Sequence, residues 1–141
     1  MKPSVIADTS ALISLASISD GNHTEATNIS ISIKKNDYPL IIPGEIFTET
    51  INTLGKKAGH RKAMDTAREL LESKELVIVD TSPELRKNAL MKFGEQSESV
   101  SFTDCLVMAC ADAYKTNLIF GFDRAFRKNG YIRLGIDDQK R

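Results

Sequence analysis

Short runs of β-forming apolar residues alternate with longer segments of helical spacing along most of the chain. The candidate strands are residues 4–7, 40–42, 76–79, 118–122 and 131–134. Their apolar residues are nearly continuous, which is typical of parallel strands covered by helices on both faces. The alternation therefore predicts an α/β fold, a three-layer α/β/α domain with a central, mainly parallel sheet of about five strands.

The segments between these strands carry apolar residues at intervals of three and four, the spacing of amphipathic helices. The predicted stripes are Ala26, Ile29 and Ile33; Ile46, Phe47, Ile51 and Leu54; Ala63, Ala67, Leu70 and Leu71; and Leu85, Ala89, Leu90 and Phe93. Residues 103–114 are apolar nearly all round, which predicts a central buried helix. No linker or low-complexity tract interrupts the pattern, so we expect a single domain over residues 1–141.

Composition and charge are those of an ordinary globular domain. Hydrophobic residues make up 41% of the 141 residues, and nineteen acidic side chains balance nineteen basic ones. No apolar run approaches the ~20 residues of a membrane span, and Asp8 comes before a signal-peptide core could form. Cys105 and Cys110 share one apolar segment at a spacing that disfavours a disulfide, so we expect reduced thiols and a cytoplasmic protein.

Four acidic residues occupy positions where a parallel sheet gathers its functional groups. Asp8 directly follows the first apolar run, and Asp123 follows the run "LIFGF". Sites in such sheets lie just beyond the carboxyl ends of the strands. Asp104 opens the predicted buried helix, and Glu49 follows Ile46 by three on the helix after Pro43, so we expect it to face partly inward. Glu45 competes with Glu49 for any role assigned here.

Each acid also has a purely local interpretation. Asp8 can cap a helix that begins at Thr9, and Asp123 can cap a short helix over "RAFRKN". Asp104 can complete a capping box with Ser101. Taken together, however, four carboxylates converging in one fold repel one another unless a divalent cation holds them. Both interpretations stay open at this point.

The motif "DTS" occurs twice, first at Asp8 and again at Asp80. After Asp80 the chain continues with Ser82, a favourable helix cap, and Pro83, which suits the first helical position. The start of a helix is enough to explain both Ser82 and Pro83. We therefore expect Asp80 to lie away from the other acids and to be dispensable for any reaction.

Four segments in order resemble the PIN domain, a metal-dependent ribonuclease fold that includes the VapC-type toxins. They are "VIADTSALISL", "IIPGEIFTETINTLGKK", "SFTDCLVMACADAY" and "LIFGFDRAF". The first resembles the family's strand followed by Asp-x-Ser/Asn, and the second its proline-led helix with a glutamate. The third resembles its helix with Asp-Ala-Leu, and the fourth its strand that ends in an aromatic residue and an acid.

The resemblance implies a site and a chemistry. Its acidic catalytic residues would be Asp8, Glu49, Asp104 and Asp123, with Asp8, Asp104 and Asp123 as metal ligands and Ser10 as a supporting residue. The cofactor would be Mg²⁺ or Mn²⁺, which favour oxygen ligands, and the substrate would be RNA. A small antitoxin protein and a homodimer are further implied. Two positions depart from the family's usual pattern: Gly121 replaces a hydroxyl residue, and Ala125 replaces a second acid.

Local basic residues beside these acids are the candidates for contact with RNA. They are Lys56, Lys57 and Arg61 beyond the Glu49 segment, and Arg124 beside Asp123. Because the chain has no net charge, any attraction for RNA has to come from such a local patch.

Two other functions remain open from the sequence. Gly121 and Ala125 are compatible with a PIN-like module that binds RNA or a protein without cutting it. A phosphoacceptor receiver domain would use Asp80 instead, but it needs an adjacent acidic pair after the first strand, where this chain has Asp8 alone.

Overall fold

The computed structural model describes residues 2–139, which are organised around one five-stranded sheet. The strands are β1 (Val5–Ala7), β2 (Leu40–Pro43), β3 (Leu76–Val79), β4 (Leu118–Phe120) and β5 (Ile132–Arg133). Their order across the sheet is β3-β2-β1-β4-β5, and every neighbouring pair is parallel. The predicted α/β class and the parallel sheet of about five strands are confirmed.

Seven helices connect the strands in the described part of the chain. They are α1 (Thr9–Ala16), α2 (His23–Lys35), α3 (Gly44–Ala58), α4 (His60–Glu72), α5 (Pro83–Gly94), α6 (Phe102–Ala113) and α7 (Arg124–Lys128). The arrangement is that of a three-layer α/β/α fold.

The core explains why two segments read as continuously apolar. Residues Val5, Ile6 and Ala7 of the central strand β1 have no exposed surface. Helix α6 is buried from Asp104 to Ala111, which confirms the predicted central helix. A strand and a helix enclosed on all sides have no face left for polar residues.

Some predicted boundaries and faces were wrong. Strand β4 ends at Phe120 rather than at Phe122. It is shorter because the Phe122 N–H donates to the Ser10 hydroxyl, 3.1 Å away, instead of continuing a strand ladder. Leu71 and Leu90 were assigned to buried stripes but are 66% and 61% exposed, since the buried faces of their helices lie at Ala63 and Thr66 and at Leu85 and Ala89.

Two further sequence features have structural counterparts. Cys105 and Cys110 are both buried as free thiols, as expected. Within residues 2–139, no helix has the length and apolar character needed to cross a bilayer.

Candidate active site

The sheet order brings two of the candidate acids side by side. Strands β1 and β4 are neighbours, with Ala7 paired to Phe120. The Asp8 N–H extends this pairing by donating to the Phe120 carbonyl at 2.9 Å. Asp8 and Asp123 therefore leave the sheet at the carboxyl ends of adjacent strands, which confirms the predicted adjacency.

Asp8 forms the floor of the site. It is only 4% exposed and caps helix α1, where its Oδ2 accepts hydrogen bonds from the Ser10 hydroxyl at 2.8 Å and from the Ser10 N–H at 3.3 Å. Burial raises the pKa of Asp8 to about 6, the bonds from Ser10 oppose this rise, and the neighbouring Asp104 carboxylate adds to it. Buried carboxyl groups whose pKa is raised toward neutral pH are common in functional sites.

Asp104 is close enough to each of the other two aspartates to interact with it electrostatically. It is buried at the start of α6 and completes the predicted capping box with Ser101: the Asp104 N–H donates to the Ser101 hydroxyl at 3.0 Å, and the Ser101 N–H donates to Asp104 Oδ2 at 3.2 Å. Burial raises the pKa of Asp104, and the nearby Asp123 carboxylate raises it further. Asp104 therefore caps α6 and also lies close to the Asp123 carboxylate.

Asp123 lies at the rim of the site. Its side chain is exposed, and Oδ1 caps the short helix α7 by accepting a hydrogen bond from the Ala125 N–H at 2.9 Å. Exposure leaves this carboxylate free to change rotamer without moving core atoms.

Glu49 also lies at the rim, and its predicted orientation was wrong. We expected it to face partly inward, but it is exposed, because the buried face of α3 consists of Ile46, Thr50 and Leu54. Its Oε2 is nevertheless placed beside the start of α6, where the Thr103 hydroxyl donates to it across 3.4 Å. Glu49 thus reaches the segment that carries Asp104.

The competing glutamate, Glu45, has a different hydrogen-bond partner from Glu49. It is half-buried and accepts a hydrogen bond from the Thr81 hydroxyl at 2.5 Å. Thr81 follows β3, an outer strand of the sheet. Glu45 is therefore bonded to the segment after the edge strand, although it also lines the groove along α3 that contains Glu49.

The chemistry of the acids fits a hard divalent cation, although their present rotamers do not enclose one. Within residues 2–139, no group of three or more His, Cys, Asp or Glu side chains is placed to hold a metal ion. The aspartates accept bonds from N–H groups at their own helix starts instead. The buried Thr9 hydroxyl beside Asp8 has no partner in this described part. Carboxylate oxygens are the ligands that Mg²⁺ and Mn²⁺ favour, and the exposed Asp123 and Glu49 side chains can turn toward Asp104.

The candidate RNA-binding residues all lie on the surface. Lys56, Lys57, Arg61 and Arg124 are all exposed. Lys56 lines an open polar groove along α3 together with Glu49, Asn52 and Thr103. Lys57 instead lies near Asp20, whose pKa is lowered first by a hydrogen bond from the Asn22 N–H and in smaller part by Lys57.

Gly121 was singled out in the sequence because it lacks a hydroxyl, and the structure gives it a steric role. A Cβ atom at this position would lie 2.9 Å from the Asp8 Cβ and 3.1 Å from Phe126 Cε2. The close approach of two strand ends therefore requires glycine with Asp8 where it stands.

Sequence reasoning missed Arg133 altogether. Its guanidinium is 12% exposed and donates from Nη1 to the Phe122 carbonyl at 2.9 Å, directly before Asp123. Arg133 reaches this part of the site through Phe122, which is not its neighbour in sequence. No local sequence pattern reveals such a contact.

The second "DTS" lies apart from the site. Asp80 follows the edge strand β3 and is exposed. Ser82 caps α5 by accepting a hydrogen bond from the Leu85 N–H at 3.1 Å, and Pro83 opens the helix. The predicted helix start is confirmed, and Asp80 is two strands away from β1 in the sheet.

Comparison with known proteins agrees with this topology. The PIN domain family model matches residues 5–130, so the chain belongs to the PIN domain family. Among solved structures, it is similar to the sarcin-ricin-loop-cleaving toxin VapC20 of Mycobacterium tuberculosis. The TM-score is 0.81 at 21% sequence identity, and the match covers 93% of this chain and 98% of that chain. A comparison with curated proteins finds no match.

Proposed function

We propose that this protein is a divalent-metal-dependent endoribonuclease of the VapC-like toxin type. The observation that carries the proposal is the convergence of Asp8, Asp104 and Asp123 from three separate segments, at the carboxyl edge of a PIN-domain sheet. Acids that serve only as helix caps have no reason to meet at one point, where they repel one another.

The metal would be held by Asp8, Asp104 and Asp123. PIN-domain nucleases generally use divalent metal ions. When bound, such an ion supplies positive charge at the phosphodiester and lowers the pKa of water. The residues of the chain orient the two buried acids, since Ser10 fixes the Asp8 carboxylate and Ser101 fixes Asp104, while the exposed Asp123 accepts one bond from the Ala125 N–H.

Glu49 and the groove along α3 would position the substrate. Glu49 stands at the rim, where an exposed carboxylate can orient a water or complete the ligand set from the solvent side. Lys56 adds a positive charge to the same groove, suited to a phosphate. We propose an accessible single-stranded or loop RNA as the substrate, because its backbone can bend toward an acidic cluster in which Asp8 is only 4% exposed. VapC20 itself cleaves the sarcin-ricin loop.

The proposal is tested by incubating the purified protein with structured RNAs in Mg²⁺ or Mn²⁺, with EDTA as the control. We expect cleavage products with defined ends in metal and none in EDTA. Cleavage that persists in EDTA contradicts the metal mechanism, and absence of cleavage under every metal contradicts the nuclease assignment.

Glu49→Gln should lower the RNA cleavage rate by about tenfold or more, whereas Glu45→Gln should leave it unchanged. Removing a charge that acts at the site costs rate, but Glu45 is bonded to Thr81 at the sheet edge. The two variants are matched, since both replace a glutamate of α3 with its amide. The reverse result would show that the wrong glutamate had been assigned.

Asp80→Asn should leave both RNA cleavage and the response of the melting temperature to Mn²⁺ unchanged. The carboxylate is exposed and separated from β1 by another strand. Gel-based cleavage assays and thermal melts check this prediction. A folded Asp80→Asn protein that no longer cuts RNA would mean that the second "DTS" is the functional one.

Further parts of the proposal concern partners and location. We propose a small antitoxin protein, a homodimer and a cytoplasmic site of action. Free buried thiols at Cys105 and Cys110 are compatible with a reducing compartment. Several large apolar side chains, among them Leu71, Leu90 and Met91, are more than half exposed and offer contact surface.

A second candidate function is an RNA- or protein-binding PIN domain without catalysis. It is favoured by one observation, that the three aspartate carboxylates are already bonded to helix starts. RNA binding without cleavage in any metal would support it.

A further inference from the structure

The turn that follows β5 holds a buried ion pair beside the acidic site. The Asp137 carboxylate accepts hydrogen bonds from Arg133 Nη2 at 2.9 Å, from Arg133 Nε at 3.0 Å and from the Arg133 N–H at 3.0 Å. The Arg133 and Asp137 side chains are only 12% and 10% exposed. This two-pronged contact fixes the plane of the guanidinium.

The turn itself is fixed on the fold. Gly135 has a φ of 81° and lies so close to Ile29 of α2 that an added Cβ would be 2.6 Å from Ile29 Cγ1. The family model ends at residue 130, so this whole turn lies beyond the part of the chain that it matches.

The third nitrogen of the Arg133 guanidinium, Nη1, forms a hydrogen bond next to the acidic site. Nη1 donates to the Phe122 carbonyl at 2.9 Å, while on the other side the Phe122 N–H donates to the Ser10 hydroxyl at 3.1 Å. The Ser10 hydroxyl in turn donates to Asp8 at 2.8 Å. Phe122 is therefore held from both sides, immediately before Asp123, and one chain of contacts runs from Asp137 to Asp8.

We propose that Arg133, oriented by Asp137, is a positioning residue that sets the spacing between Asp123 and Asp8 and thereby the affinity of the site for a divalent cation. The effect on cation affinity rests on the proposed function. The two contacts that hold Phe122, from Arg133 and from Ser10, do not depend on it, and we call them the clamp. Outer residues that orient metal ligands typically change metal affinity by about 10–100-fold when they are replaced. If the ion pair only stabilised the turn, its loss would lower the stability of the protein and leave the metal affinity unchanged.

The test compares Arg133→Met and Asp137→Asn with Lys92→Met. The control removes a more exposed ion pair, Lys92 with Asp112 at 2.6 Å, which lies near the far end of α6 from Asp104. In metal-free protein, amide hydrogen exchange by NMR at Phe122 and Ala125 should become faster in the first two variants and stay unchanged in the control. Mn²⁺ affinity, measured by titration on folded protein, should fall about 10–100-fold in the first two variants only.

The two measurements distinguish the clamp on Phe122 from its effect on Mn²⁺ affinity. Unchanged exchange at Phe122 and Ala125 in Arg133→Met would overturn the clamp. Faster exchange with unchanged Mn²⁺ affinity, or an equal loss of affinity in Lys92→Met, would overturn the positioning role. A wild-type protein that neither binds Mn²⁺ nor cuts RNA would overturn the proposed function, while the exchange measurement still decides the clamp. If Arg133→Met does not fold, Arg133→Lys, which loses the two-pronged contact but keeps the charge, takes its place in both measurements.

Discussion

Asp104→Asn should reduce RNA cleavage by about 10²–10³-fold without unfolding the protein, the scale of loss seen when one preorganised charge-stabilising group is removed. The Asp104 charge interacts with Asp8 and with Asp123, so it takes part in two of the three pairs of the cluster. The asparagine side-chain oxygen can still accept the hydrogen bond that Asp104 accepts from the Ser101 N–H. The variant therefore removes the charge and keeps the helix cap.

The matched control for this variant is Asp112→Asn, on the same helix. Asp112 is exposed and bonds to Lys92 and Tyr131. We expect its loss to lower the melting temperature slightly and to leave cleavage intact. Single-turnover cleavage assays at saturating Mn²⁺, with circular dichroism to verify folding, make the comparison. Equal activity in Asp104→Asn and wild-type protein would remove Asp104 from the reaction.

Asp8→Asn should stabilise the metal-free protein at neutral pH while abolishing most of its stabilisation by Mn²⁺. The folded protein raises the Asp8 pKa from 3.8 to about 6, so the folded state binds this proton more tightly than the unfolded state. Ionisation of Asp8 therefore destabilises the folded state. This destabilisation is absent below pH 4, grows between pH 4 and 6, and is complete above pH 6. A shift of this size corresponds to about 3 kcal/mol.

Denaturant melts of both proteins at pH 5 and pH 7.5, with and without Mn²⁺, check this expectation. The wild-type protein should gain stability from Mn²⁺ at pH 7.5, by about 3 kcal/mol when the ion is at a hundred times its dissociation constant. The metal-free difference between variant and wild type should be larger at pH 7.5 than at pH 5. Parallel pH profiles for the two proteins, or a wild-type midpoint that millimolar Mn²⁺ does not change, would contradict the model of a strained acidic site.

The fold was predictable where burial alone decides the sequence. The continuous apolar run before Asp8 and the all-apolar segment after Asp104 each have one solution, a covered strand and a covered helix. The helix starts at Asp8, Ser82 and Asp123 were predictable for a similar reason, because cap residues act on their own neighbours.

The parts of the site that depend on distant contacts were not predictable in the same way. The exposure of Glu49 depends on which side of α3 packs on the fold, and a three-residue spacing from Ile46 does not determine that. The steric need for Gly121 arises only once β1 and β4 are paired. The contact of Arg133 with Phe122 joins two segments whose proximity no periodic pattern encodes.

The aspartates of the site differ from Glu49 in what preserves them over evolutionary time. Asp8, Asp104 and Asp123 each accept a hydrogen bond from an N–H at a helix start, so selection for a foldable chain would retain them even without the proposed catalysis. Glu49 begins nothing and has only one long contact, at 3.4 Å from Thr103. If the proposed activity were lost, Glu49 would therefore be the first of the four acids expected to change.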